Sequence, residues 1–241
     1  MNLVHSEWIK LLTTRTTLVM IGVGLLCEGL FAGLLTGLAS FEDIGEVTEL
    51  ITGLGLLMTL MLVLGVLIIT TEFRHGTTGS TFLVTPKRWP VMLAKLGAAL
   101  LIGVLAGLLF VLVNGGLALP IYSGRGGTLP PTDEIVKVYA GVIASFALLA
   151  AFGLGIGAII RNQVGAIIAA IAVFFVVSGL PELLPGTIGE YFPAQTVGTL
   201  HGRVEGDGTL TQVGAGLILA AWSFALVAIG TALTVVRDLS E

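Results

Sequence analysis

The sequence predicts an all-α integral membrane protein with six transmembrane helices, and three observations carry that reading. Charged residues make up 11% of the 241-residue chain and hydrophobic residues 55%, whereas a soluble domain carries about 25% charged residues. The mean hydropathy is +1.04, and the apolar runs recur along the whole chain instead of collecting in one tail. Six stretches reach the ~20 apolar residues that a hydrocarbon core of ~30 Å requires: 17–39, 50–71, 94–119, 139–160, 164–184 and 212–236. Helix satisfies the backbone within each segment, and none of the six alternates polar and apolar residues as a barrel strand would.

Residues 1–16 precede the first span as an amphipathic segment. Val4, Trp8, Leu11 and Leu12 fall on one helical face, with Ser6, Glu7, Lys10 and Thr14 elsewhere. This pattern predicts a helix lying in the membrane interface with Trp8 at headgroup depth. The first span is longer than the apolar region of a signal peptide and lacks an A-x-A site after it, so it is expected to remain as a span. It holds Cys27, the single cysteine, read as a small buried apolar side chain. Gly29, Gly33 and Gly37 are spaced for a close helix contact, as are Gly103 with Gly107 and Gly153 with Gly157.

Two polar residues stand out within spans, Glu28 and Asn114. Glu28 lies about eleven residues, or roughly 16 Å, beyond Thr17 at helical rise, close to mid-bilayer. With Lys95 taken at the rim, no Lys or Arg lies inside another span to neutralise it, so Glu28 is expected to be protonated, or hydrogen-bonded to a hydroxyl or amide such as Thr59, Ser145 or Ser178. Two roles fit: a polar point on a substrate or ion path, or a buried helix–helix hydrogen bond.

Between the fourth and fifth spans stand only Arg161, Asn162 and Gln163, enough for a tight helical hairpin. Before the last span, Pro181, Pro185 and Pro193 break helix while Leu183, Leu184, Ile188, Tyr191 and Phe192 stay apolar. This predicts short re-entrant or interfacial helices, followed by a polar tip at 202–208.

Orientation follows the Lys and Arg residues. With a cytoplasmic N-terminus, the inner segments hold Lys10, Arg15, Arg74, Lys87, Arg88, Lys95, Arg161 and Arg237, and the outer ones only Arg125, Lys137 and Arg203. Both termini are therefore expected in the cytoplasm, with the chain in the cell membrane.

Motif absences narrow the function. No phosphate-cradling GxxxxGK[ST], zinc-binding HExxH or nucleophilic GxSxG occurs. His5, His75 and His201 fall on both sides of the membrane and cannot share a metal. No dense basic patch marks a nucleic-acid partner. The chain is expected to catalyse nothing alone and to hold no cofactor.

The informative segment is 72–93, the largest inner loop. It mixes acids, bases and hydroxyls around Phe82-Leu83-Val84 and reads as a short helix capped near Thr77–Ser80 and stopped by Pro86. It suits presentation to a soluble partner. Its pattern of Glu72, Arg74, Gly76, Thr77, Leu83, Pro86, Arg88 and Lys95 resembles the coupling loop of ABC-transporter permeases of the type-2 export class. The opening Ser6-Glu7-Trp8-Ile9-Lys10-Leu11 resembles the amphipathic elbow of the same permeases, Arg161-Asn162 their second cytoplasmic contact, and Glu190-Tyr191-Phe192-Pro193-Ala194 their half-inserted outer helices.

That resemblance implies six helices per subunit, two permease subunits per transporter, identical or homologous, and two separate ATPase subunits beneath. Glu72, Arg74, Gly76, Thr77, Pro86, Arg88 and Arg161 would take the ATPase-coupling role by position. The second and fifth spans would line the path. The first outer loop, of ten residues, carries no bulky extracellular domain. A secondary transporter or channel, or a membrane assembly or immunity protein, are the alternatives.

Overall fold

Why the polar residues of such a chain do not destabilise its spans is answered by local hydrogen bonding. In the computed structural model, which describes residues 7–10, 13–38, 47–53, 55–74, 88–176, 186–203 and 210–236, Thr70, Ser223, Thr231 and Thr234 each donate to the carbonyl four residues back at 2.6–2.8 Å. Such bonds satisfy a hydroxyl within its own helix, where lipid offers no partner.

The described residues form helices and turns only. Residues 7–10 are helical. They are followed by α1 (Arg15–Leu38), a short α2 (Val47–Thr52), α3 (Leu56–Arg74), α4 (Arg88–Gly124) and α5 (Thr132–Ile159). Then come α6 (Gln163–Ile171) with a π-helical continuation (Ala172–Val176), a 3-10 turn (Gly186–Tyr191), α7 (Pro193–Leu200) and α8 (Gln212–Val236). Five helical stretches are long and apolar enough to cross a membrane: Arg15–Leu38, Leu50–Arg74, Trp89–Gly124, Thr132–Ile159 and Gln212–Thr234. The predicted fifth span is represented by a shorter apolar helix, Gln163–Phe175, and the rest of 164–184 lies outside the described residues.

Three element boundaries depart from expectation. The predicted second span, 50–71, is interrupted: Gly53 and Gly55 take φ of +69° and +72°, a left-handed conformation that glycine adopts without a Cβ penalty, and this separates α2 from α3. Helix α4 begins six residues earlier than the predicted third span and ends five later, because Arg88–Leu93 and Pro120–Gly124 continue its hydrogen bonding past the apolar run. Helix α5 likewise begins at Thr132, directly after Pro130-Pro131.

Helix α5 is the hub. It packs on α3, α4 and α8, and its residues from Ser145 to Ala158 are almost continuously buried. Glycine makes that density attainable. A Cβ on Gly65 of α3 would come 2.0 Å from the Ala150 carbonyl oxygen, and one on Gly153 2.0 Å from that of Leu62. On Gly103 it would meet the Ala147 Cα at 2.5 Å, and on Gly155 the Leu226 Cβ at 2.6 Å. The first-span triplet is different. A Cβ on Gly29 would meet Val113, but one on Gly33 or Gly37 would have nothing within 4 Å, so the expected ridge of close contact is not formed among the described residues. Helix α1 lies against α3 and α4 on one side only, with Leu18, Leu26, Leu30, Leu34 and Leu38 exposed and Cys27 half-buried.

The chain's direction can be followed from contacts. Arg74, at the end of α3, bonds Gln163 at the start of α6. By Leu200, at the end of α7, the chain is against Gly141 near the other end of α5. Gly141 and Ile159 are eighteen residues apart, or about 27 Å at helical rise.

Candidate functional site

Two polar sites lie toward opposite ends of the bundle. The first is a charge cluster at the Arg74 end. Lys95, in the first turns of α4, is 2% exposed, and an ammonium so placed must be paired. Its Nζ donates to Glu7 Oε2 at 2.8 Å and to Glu72 Oε1 at 2.7 Å. Lys10 Nζ donates to Glu7 Oε1 at 2.6 Å and to Glu72 Oε1 at 3.3 Å. Two carboxylates and two ammonium groups thus join the opening helix, the end of α3 and the start of α4.

Burial alone would raise the Glu7 pKa. The Lys95 charge and the hydrogen bonds from both lysines more than reverse this and hold it below the usual carboxylate value. Burial likewise opposes the charge on Lys10, and Glu7 with Glu72 raises its pKa above the usual lysine value.

The predicted coupling residues divide around this cluster. Glu72 is bound into it. Arg74 is exposed and its Nη1 donates to Gln163 Oε1 at 3.3 Å. Arg161 lies over the Phe73 ring, 5.8 Å from its centroid. The end of the second span and the α5–α6 turn are therefore neighbours, as the turn's Asn162 accepts from Gly165 N at 2.9 Å and starts α6. Gly76, Thr77, Pro86 and the Thr77–Ser80 cap lie outside the described residues, as does the side chain of Arg88. In the opening helix Glu7 faces inward, and half-buried Trp8 rests against the main apolar core.

The second site is a cavity of about 510 Å³ between α1, the α2–α3 break, the α6 π-segment and α7. Glu28 is in its wall, 1% exposed. The acid adjoins Gly53, where a Cβ would come 2.3 Å from Glu28 Oε2 and 3.1 Å from the Phe110 ring. Phe110 and Phe146 meet edge to face with centroids 5.5 Å apart, as do Phe174 and Phe175 at 5.1 Å. Two of the predicted partners of Glu28 make bonds of their own. Thr59 donates to the Gly55 carbonyl, Ser145 donates to Val142 O and meets His201 Nε2 at 2.9 Å, and Ser178 is outside the described residues.

His201 and Arg203 also border this cavity, and sequence reasoning missed both because each stood alone in a presumed outer loop. Burial, with the nearby Arg203 charge, pushes the His201 imidazole down to about 3, so the ring is neutral. Arg203 Nη2 donates to Thr52 Oγ1 at 2.8 Å. Asn114 serves structure: it donates to Leu50 O and accepts from Tyr139 Oη, both at 3.1 Å, tying α4 to α2 and α5. Among the described residues no group of His, Cys, Asp and Glu is arranged to hold a metal.

The fold and these sites define a helical protein with, among the described residues, five helices of membrane-spanning length, a buried charge cluster toward one end and an acid-bearing aromatic cavity toward the other. No family model matches the chain, and no curated protein matches it in sequence.

Proposed function

We propose that this chain is the permease subunit of an ATP-driven exporter of the ABC type-2 class, paired with a second permease above two separate ATPase subunits. The observation that supports this most is the meeting of three sequence-distant segments at one end: the opening helix at Glu7 and Lys10, the end of α3 at Glu72 and Arg74, and the α5–α6 turn at Arg161 and Gln163. An ATPase that pushes on a permease needs a firm cytoplasmic platform. Glu72 and Lys95 are bonded to each other, which ties the end of α3 to the start of α4. In this reading Glu72 anchors the loop, while Arg74, Arg161 and the loop itself face the ATPase.

The platform end is cytoplasmic under the Lys/Arg distribution. In this reading the chain crosses once more between Gln163 beside Arg74 and Leu200 beside Gly141, the fifth of six crossings in chain order, with the 3-10 turn and α7 as the half-inserted outer helices. The test is copurification of the tagged chain from its native membrane, followed by mass spectrometry and an ATP-hydrolysis assay. An ATPase bearing GxxxxGK[ST] is expected with the wild type and lost from Arg74→Glu/Arg161→Glu, while insertion and melting of the permease are unchanged. Retention of the ATPase by that variant, or recovery of none with wild type, overturns the reading.

A secondary transporter is the second reading, favoured by the break at Gly53–Gly55 beside Glu28, since interrupted helices next to a buried polar group are how such transporters build their sites. Transport into inverted vesicles that needs an ion gradient and no ATP would select it.

A further inference from the structure

The Glu28 cavity has a construction that the platform does not explain. Three backbone irregularities meet there: the left-handed glycines between α2 and α3, the π-segment Ala172–Val176, and the end of α7 at His201. π-turns recur at functional sites, and the two glycines turn the chain here without strain. Among the described residues they bring one acid and four phenylalanine rings around a space whose volume is that of a small-molecule site, roughly 300–1,000 Å³.

The lining has a definite chemistry. Phe110, Phe146, Phe174 and Phe175 offer ring surfaces that carry negative charge density and attract cations. Glu28 adds the full negative charge of a carboxylate when a cation stands beside it. His201 is neutral and held by Ser145, so it adds no competing charge. Arg203 is exposed and bonded to Thr52, at the rim. An anion would meet Glu28 and the ring faces; a neutral apolar molecule would gain nothing from the acid.

We propose that this cavity binds an amphiphilic organic cation, an apolar, ring-bearing body with one positive charge, seated with that charge against Glu28 and its body among the phenylalanines. Gly53 is then part of the site, because any larger residue would intrude on the Glu28 carboxylate and Phe110. The inference goes beyond the exporter reading and stands without it, as the cavity is formed by this chain alone.

The experiment is equilibrium binding of tetraphenylphosphonium to the purified full chain in nanodiscs of neutral lipid, with triphenylphosphine oxide as the uncharged counterpart. Saturable binding is expected, at least tenfold tighter for the cation. Glu28→Gln should lower cation affinity at least tenfold and leave the uncharged probe unchanged, and Glu28→Asp should keep part of the preference. Phe175→Ala, at a residue 49% exposed whose loss spares the core, should weaken the cation several-fold even if Glu28→Gln melts early. Non-saturable binding, equal affinity for both probes, or cation affinity unmoved in Phe175→Ala and in a stably folded Glu28→Gln, overturns the proposal. ATPase copurification by the same variants is expected to be intact, so failure here is separable from failure of the exporter reading.

Discussion

Lys95 governs the platform end of the molecule because it is the buried member of a four-charge group. Replacing it with Met would leave Glu7 and Glu72 sharing only the half-exposed Lys10 ammonium, and removing one partner of a fully buried pair costs about 3–5 kcal/mol, an upper bound here. Lys95→Met should therefore show a markedly lower melting temperature in detergent, and Lys95→Met/Glu72→Gln should recover part of it. His201 gives a second residue-scale expectation. Its native pKa is about 3 against 6.5 unfolded, so between those values the unfolded chain takes up a proton that the native state refuses. Stability should fall as pH drops from about 6.5 toward 3 and be insensitive to this group above 6.5. His201→Gln should flatten that part of a melting-temperature profile. Glu7, held below its usual value, adds a loss that begins only near 4.5. Neither residue's burial was legible in the sequence. Lys95 sits where an apolar run meets a basic flank, so hydropathy assigns it to the rim. The partner that places His201 is Ser145, 56 positions earlier.

Among the helices, sequence periodicity located the elements but not their faces. Spacing of four residues marked Gly29-Gly33-Gly37, Gly103-Gly107 and Gly153-Gly157 alike, and only the three-dimensional arrangement separates them. Gly153 and Gly103 lie against neighbouring backbone; Gly33 and Gly37 have no described neighbour within reach of a Cβ. Gly153→Val should thus push α3 off α5 and abolish a stable monomeric fold, read as loss of a monodisperse peak and of cooperative melting. Gly33→Val should leave melting within about 0.5 kcal/mol of wild type, as substitutions away from packed features do. The break in the second span was visible in principle as Gly53-Leu54-Gly55 inside an apolar pattern, a sign of punctuation. Its hydropathy hid it, since glycine and leucine together still read as membrane-compatible. The π-segment left no such sign: Ala172-Val173-Phe174-Phe175-Val176 is ordinary span sequence.

At the scale of the molecule, composition and length fixed the class: a helical bundle with several long apolar helices, as found. Orientation rests on eight basic residues against three. In a Cys27→Ala background, Ser123→Cys should react with an impermeant maleimide added to intact cells, and Asn162→Cys should react only after permeabilisation. Labelling of position 162 from outside would invert the assignment and move the platform away from any cytoplasmic ATPase.

The position of α5 in the chain bears on how the protein is made. The hub is the fourth long helix to be synthesised, and Ile159 follows Leu38 by about 120 residues. At roughly 5–20 residues per second, α1 waits on the order of ten seconds in the bilayer before the helix that organises the bundle exists. For the first part of that interval Glu28 has neither α4 nor the α7 segment to enclose it, and even when α4 is complete the α7 segment is still to come. Nascent α1 therefore meets the translocon and the lipid in a state that the finished protein never shows. The two glycine positions left open on its outer side, and the leucines beside them, are the surface that it offers in the meantime.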